Sequence, residues 1–203
     1  MESSKQFGAH KIKIVIIGAP TVGKSSLMKR FCDGTFTFSI GPTIGLAERT
    51  INIRIHDKDI LLNIWDTAGQ ENFRVVNKLY YKNTSGAIIV FDVTKRESFN
   101  DLDWWIKDLT DNAPPNLKNF LVGNKIDLAD QRIIPTKEGQ NFAKRHDMEY
   151  LETSAKEGTD VEKLFQVLAE KILEDKSALS RLSRGSDALL LQPQPKEKAK
   201  KCC

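Results

Sequence analysis

Short aliphatic runs alternate with amphipathic stretches along most of the chain. Residues 12–17 (IKIVII) are dominated by β-branched apolar side chains and stop at Gly18, the pattern of a strand buried on both faces. A helix is predicted from Lys24 to about Cys32. After the Gly- and Pro-containing stretch 34–45, residues 46–56 alternate as an edge strand, with a turn at Asp57-Lys58-Asp59. The next strand, 60–65, delivers Asp66 at its carboxyl end. Residues 87–92 and 120–124 are apolar runs bounded by polar residues, and 97–110 between them has helical spacing around Trp104 and Trp105. Segments 136–145 and 161–175 complete the pattern, the second placing Val161, Leu164, Phe165, Leu168 and Ile172 on one helix face. These aromatic and aliphatic side chains, and Cys32, are assigned to the core and given no chemistry.

Strands alternating with helices predict an α/β fold: an open, mostly parallel six-stranded sheet covered by helices on both faces. In such sheets ligands bind beyond the carboxyl ends of the strands.

Composition changes this picture in one place. The net charge of +4 is unevenly spread. Residues 176–203 hold seven Lys/Arg and two Asp/Glu, so the remaining 175 residues, with 24 basic and 25 acidic side chains, are nearly neutral. A basic tail on a neutral body points to an anionic membrane surface and away from nucleic acid. No apolar stretch approaches the ~18 residues that span a bilayer, and no secretory leader is expected before the first strand. Three cysteines, two of them adjacent, make neither a disulfide framework nor a zinc site.

Four motifs carry candidate chemistry. GAPTVGKS (18–25) fits G-x-x-x-x-G-K-[ST] between a predicted strand and helix. Glycines bring backbone N–H groups onto phosphate oxygens, Lys24 supplies charge at the β/γ-phosphates, and the Ser25 hydroxyl is a Mg²⁺ ligand. DTAGQ (66–70) follows a strand, so Asp66 can hold Mg²⁺ and Gly69 can offer its N–H to a γ-phosphate. NKID (124–127) ends another strand, and Asp127 can accept hydrogen bonds from N1–H and the 2-amino group of guanine. Adenine has no such pair of donors there and would leave a buried carboxylate unpaired. TSAK (153–156) offers the Ala155 N–H to the guanine O6.

In this order and at these strand ends, the motifs resemble those of the Ras-like small GTPases over about residues 11–175. The resemblance implies a P-loop NTPase that binds GTP or GDP with Mg²⁺ and hydrolyses GTP. It implies that Gly18, Thr21, Val22, Gly23, Lys24, Ser25 and Ser26 surround the phosphates. Phe36 packs beside the guanine, with Asn124, Lys125, Asp127, Ser154, Ala155 and Lys156 completing the base site. Thr43 joins Ser25 and Asp66 on Mg²⁺ and senses the γ-phosphate with Gly69. Gln70 orients the attacking water, and Lys24 neutralises charge. No arginine stands out as an internal finger, so turnover is expected to be slow until an activating protein supplies the missing charge. The histidines (His10, His56, His146) lie in no motif and are read as surface or structural.

Within the superfamily, WDTAGQENF and LYYKNTSGAIIVFDVT are similar to the Rab subfamily. That likeness implies a switch in vesicle trafficking, anchored on the cytoplasmic face of an intracellular membrane by prenyl groups on Cys202 and Cys203 and cycling with the cytosol. Implied partners are an exchange factor, an activating protein, an escort protein, a dissociation inhibitor and effectors; the chain is expected to be monomeric. Residues 1–10 are expected to be a flexible lead-in, 11–175 the GTP-binding domain and 176–203 a disordered tail. Leu189, Leu190 and Leu191 in that tail resemble the aliphatic motif that docks on the escort. Three departures bear on hydrolysis and partner choice: Pro20 and Thr21 in the phosphate loop, Glu48 where an effector-facing aromatic is usual, and Asn72 in place of arginine. They leave open an alternative, a GTP-binding scaffold with negligible hydrolysis. An ATP-using kinase or ATPase would require NKID and TSAK to be accidental.

Overall fold

A computed structural model describes residues 10–38, 46–67 and 80–175. Thr43, Gly69, Gln70, Asn72, Leu189, Leu190, Leu191, Cys202 and Cys203 lie outside the described residues.

The described elements are β1 (His10–Ile17), α1 (Lys24–Asp33), β2 (Leu46–Ile55), β3 (Lys58–Thr67), β4 (Gly86–Asp92), α2 (Arg96–Asn100), α3 (Leu102–Asn112), β5 (Lys118–Asn124), α4 (Thr136–Arg145), β6 (Glu149–Thr153) and α5 (Val161–Glu174). One sheet runs in the order β2-β3-β1-β4-β5-β6. Only β2 is antiparallel, paired with β3 from Leu46↔Thr67 to Ile55↔Lys58. Because the other pairs are parallel, the ends of β1, β3, β4, β5 and β6 open on one edge. The six-stranded, mostly parallel α/β sheet expected from the sequence is therefore present.

Alternation in β1 decides which helices lie where. Ile12, Ile14 and Ile16 point to one side and join a core with Leu27 and Met28 of α1 and Val161, Leu164, Phe165, Leu168 and Ile172 of α5. Val15 and Ile17 point to the other, towards Phe99, Leu102, Trp105, Leu109 and Phe142 on α2, α3 and α4. Phe31 and Phe165 stack with ring centroids 4.2 Å apart and join α1 to α5. Cys32 packs at the margin of the same core, where burial pushes its thiol up to about 11, so it stays unreactive.

The differences from the sequence reading have local causes. The β2–β3 turn falls at His56 and Asp57, one residue early, with φ of 45° and 62°. A two-residue hairpin turn with both φ positive matches strand twist, and Lys58 is thereby freed to start β3. The helix predicted over 97–110 is divided at Asp101, whose ψ of −8° departs from helical geometry. Trp105 is buried as expected, whereas Trp104 is 37% exposed and edge-on to it. β6, whose bounds the sequence did not yield, is polar and only partly buried because it is an edge strand.

Candidate functional site

The phosphate-loop candidate links β1 to α1. Gly18 has φ 138° and Gly23 φ 101°; a Cβ would strike the Val90 carbonyl at the first and the Asn124 side-chain amide at the second. Glycine is required at both by backbone conformation and by space. The N-terminus of α1 has no side-chain cap and no acidic residue in its first turn, so its positive end is left for another anion. Lys24, only 6% exposed, curls back into the loop: its Nζ donates to the carbonyls of Gly18 (2.7 Å) and Ala19 (2.8 Å). Burial draws its pKa down to about 8, opposed in part by Asp66.

Parallel pairing sets Ile16 beside Asp66, and the Thr67 hydroxyl donates to the Ile16 carbonyl at 3.0 Å. This register carries the fully buried Asp66 to α1, where Ser25 Oγ donates to its Oδ2 at 2.5 Å. Hydroxyl and carboxylate oxygens are the donor types Mg²⁺ selects, so this pair fits that ion as a partial ligand set completed by water and phosphate. Val22 is buried, its carbonyl facing the base-side motifs; Ser26 is half-buried in the first turn of α1. Pro20 and Thr21 are exposed at the loop crest.

The base-side motifs meet through Asn124. Its Nδ2 donates to the Val22 carbonyl at 2.8 Å, while its Oδ1 accepts from Thr153 Oγ1 (3.1 Å) and the Ala155 N–H (3.3 Å). One buried amide thus ties the phosphate loop, NKID and TSAK together. The Ala155 N–H expected to meet the base is directed to Asn124 here. Asp127 Oδ1 accepts from Ser154 Oγ at 2.7 Å, and Lys156 Nζ lies 4.0 Å from Oδ2. These contacts aim and charge-balance the carboxylate that the sequence marked for guanine. Lys125, at φ 71°, turns its ammonium onto Asp92, 2.7 Å away. Phe36 is half-buried against the α1 side of the core and edge-on to the exposed Phe38, ring centroids 5.2 Å apart.

Three contributors escape sequence reasoning because nothing in their spacing announces them. Arg30 of α1 donates through Nε to the Ala155 carbonyl at 2.8 Å and through Nη2 to the Lys156 carbonyl, bracing TSAK from 125 residues away. Asp92 ends β4 and Lys95 sits in the turn that follows it. At the departure Glu48, the carboxylate accepts from Asn63 Nδ2 at 2.5 Å and lies in register opposite Trp65. The Lys13 ammonium sits 3.5 Å from the Trp65 ring centroid, its pKa drawn down to about 8 by burial, with Glu48 acting against the shift.

Residues 13–174 match the model of the Ras family. The chain belongs to the Ras family. It is 38% identical to Ras-related protein RabQ of Dictyostelium discoideum over 96% of this chain and 98% of that one. It is 37% identical to Ras-related protein YPTC6 of Chlamydomonas reinhardtii over 94% of each, and 40% identical to Ras-related protein Rab11D of Nicotiana tabacum over 79% and 72%. This Ras-family chain is a Rab-type small GTPase of vesicle trafficking, a branch that binds guanine nucleotides, works with regulators and effectors, and associates with membranes. Among the described residues no helix is long and apolar enough to cross a membrane.

Proposed function

We propose that the edge formed by 18–25, Asp66, 124–127 and 153–156 is the guanine-nucleotide site of this GTPase and that residues 11–175 form its GTP-binding domain. The observation that carries this reading is the convergence itself. A buried ammonium in a glycine cradle, an uncapped helix start and an oriented carboxylate meet at one sheet edge, linked through Asn124.

In this reading Gly18, Thr21, Val22, Gly23, Ser25 and Ser26 present backbone N–H groups to the phosphates, and Lys24 exchanges its carbonyl partners for phosphate oxygens. Asp127 selects guanine, held by Ser154, with Lys125, Ala155, Lys156 and Phe36 enclosing the base. Ser25 and Asp66, with Thr43, would hold Mg²⁺, which when bound neutralises charge on the phosphates. For hydrolysis Gln70 orients water, Gly69 and Thr43 sense the γ-phosphate, and intrinsic turnover is on the order of 10⁻⁴ to 10⁻² s⁻¹ without a supplied arginine. An exchange factor and an activating protein drive the cycle, and effectors read the GTP form. Prenyl groups on Cys202 and Cys203 hold the protein on the cytoplasmic face of an intracellular membrane, two chains anchoring durably where one does not. Escort protein and dissociation inhibitor handle the lipidated form.

Competition of GTP, ATP and XTP for the purified protein tests the site. Wild type should prefer GTP to ATP by at least about a thousandfold, because ATP strands the Asp127 carboxylate. Asp127→Asn should lose GTP and gain XTP, since an amide donates to the 2-oxo group. Equal binding of ATP and GTP, or unchanged GTP affinity in Asp127→Asn, would refute the assignment.

A further inference from the structure

The end of β4 and the turn that joins it to α2 belong to none of the four nucleotide motifs, yet they make polar contacts with two of them. Asp92, the last residue of β4, is fully buried. Its Oδ1 accepts from the N–H (2.9 Å) and the hydroxyl (2.7 Å) of Thr94, its N–H donates to Ser98 Oγ (3.0 Å), and its carbonyl accepts from the Lys95 N–H (3.0 Å). The turn is also fastened to β5, the Val93 N–H donating to the Asn124 carbonyl at 3.1 Å. From this rigid base two contacts reach outwards. Asp92 Oδ2 lies 2.7 Å from Lys125 Nζ in the base loop. Lys95 Nζ donates to Thr21 Oγ1 in the phosphate loop at 3.2 Å, spanning 74 residues of sequence.

Thr21 is an unusual residue to find there. Its φ is 63°, and a β-branched side chain in the left-handed region is strained. Such a conformation persists only where its surroundings hold it, and the one side-chain hydrogen bond described for Thr21 comes from Lys95.

We propose that residues 92–98 are a clamp between the phosphate loop and the base loop, with Asp92 positioning Lys125 and Lys95 holding Thr21, and that this clamp sets the rate at which bound nucleotide leaves. The inference rests on reading 18–25 and 124–127 as nucleotide loops. A nucleotide spanning both is released when they part, and a protein contact bridging them opposes that motion without touching the ligand. The two arms differ in strength. Lys95–Thr21 is exposed and is worth little by itself. Asp92–Lys125 is buried at the carboxylate, where losing one charge strands the other.

The test is the dissociation rate of fluorescently labelled GDP, chased with excess GDP at fixed Mg²⁺, from the full-length protein. Lys95→Met should raise the rate about threefold, leaving the association rate and the thermal midpoint of the nucleotide-free protein unchanged. Lys95→Arg should restore the slow rate, and in a Thr21→Ala background Lys95→Met should add nothing. Asp92→Asn should raise the rate by about tenfold or more; should it fail to fold, the exposed Lys95 series still decides. Wild type that does not bind labelled GDP would refute the nucleotide reading and the clamp with it. Tight binding with the same dissociation rate in Lys95→Met and wild type would overturn the clamp alone. A faster rate that persists in Lys95→Arg or accompanies a lowered thermal midpoint would do so too.

Discussion

Lys24 gives nucleotide binding a pH dependence that can be worked out in advance. Its ammonium is buried against two carbonyls and its pKa falls from 10.5 to about 8. The drop corresponds to about 3 kcal/mol of burial cost. With the folded pKa lowered, that cost is fully present below pH 8. Between about pH 8 and 10.5 the folded state sheds the proton while the unfolded state keeps it, so stability rises with pH across that window. Phosphate oxygens against the same nitrogen hold the charge in place, so binding takes up a proton wherever the free protein has lost it. From pH 7 to 8.5 affinity for GDP should fall about fourfold, with uptake of about half a proton at pH 8. Titration calorimetry in buffers of different ionisation enthalpy reads both quantities. Lys13, lowered to about the same value, titrates in the same range outside the site, so Lys13→Met should leave the slope intact. Flat affinity and no proton uptake at pH 8 would show that Lys24 does not meet the phosphates as argued.

Three further outcomes follow from other contacts. Arg30→Ala removes two charged hydrogen bonds to the TSAK loop and should destabilise the protein by about 2 kcal/mol in denaturant unfolding; a loss under about 0.5 kcal/mol would mean the loop is held elsewhere. Phe165→Ala empties the junction of α5 with Phe31 and should cost about 3 to 5 kcal/mol by the same measurement. Glu48→Phe removes one of two acceptors of the buried Asn63 amide nitrogen, leaving Thr50 Oγ1 at 3.3 Å, and should lower stability by about 1 kcal/mol in the same measurement, even where added apolar area strengthens effector pull-down.

Much of the fold was legible because the strands are nearly pure apolar runs. All seven residues of β4 are buried, so its pattern has no competing reading. The α5 stripe was equally clear, its five predicted core residues each at most 1% exposed. Legibility failed where polar residues build regular structure. β6 contains Glu149 and Glu152, and a strand at a sheet edge needs no apolar face to declare it. Asp101 separates α2 from α3, yet its N–H still donates to the Glu97 carbonyl and its carbonyl accepts from the Trp105 N–H, so the apolar spacing runs through the junction without marking it. For the site, the four motifs could be read because phosphate and guanine demand particular residue types at fixed spacing. The side chain of Asn124, a residue marked for the nucleotide, also joins three loops, a role that its motif alone does not disclose. Arg30, Asp92 and Lys95 act by hydrogen bonds or ion pairs to residues far away in sequence, a relation that no local pattern encodes.

Single-turnover phosphate release tests whether this protein hydrolyses GTP by positioning water and neutralising charge. Protein loaded with GTP and Mg²⁺ should release one equivalent of phosphate, with a rate constant on the order of 10⁻⁴ to 10⁻² s⁻¹. Gln70→Leu should bind GTP as tightly and release phosphate at least about tenfold more slowly. No release above the uncatalysed background from GTP-bound wild type would mean that the protein is a nucleotide-binding scaffold and not a GTPase.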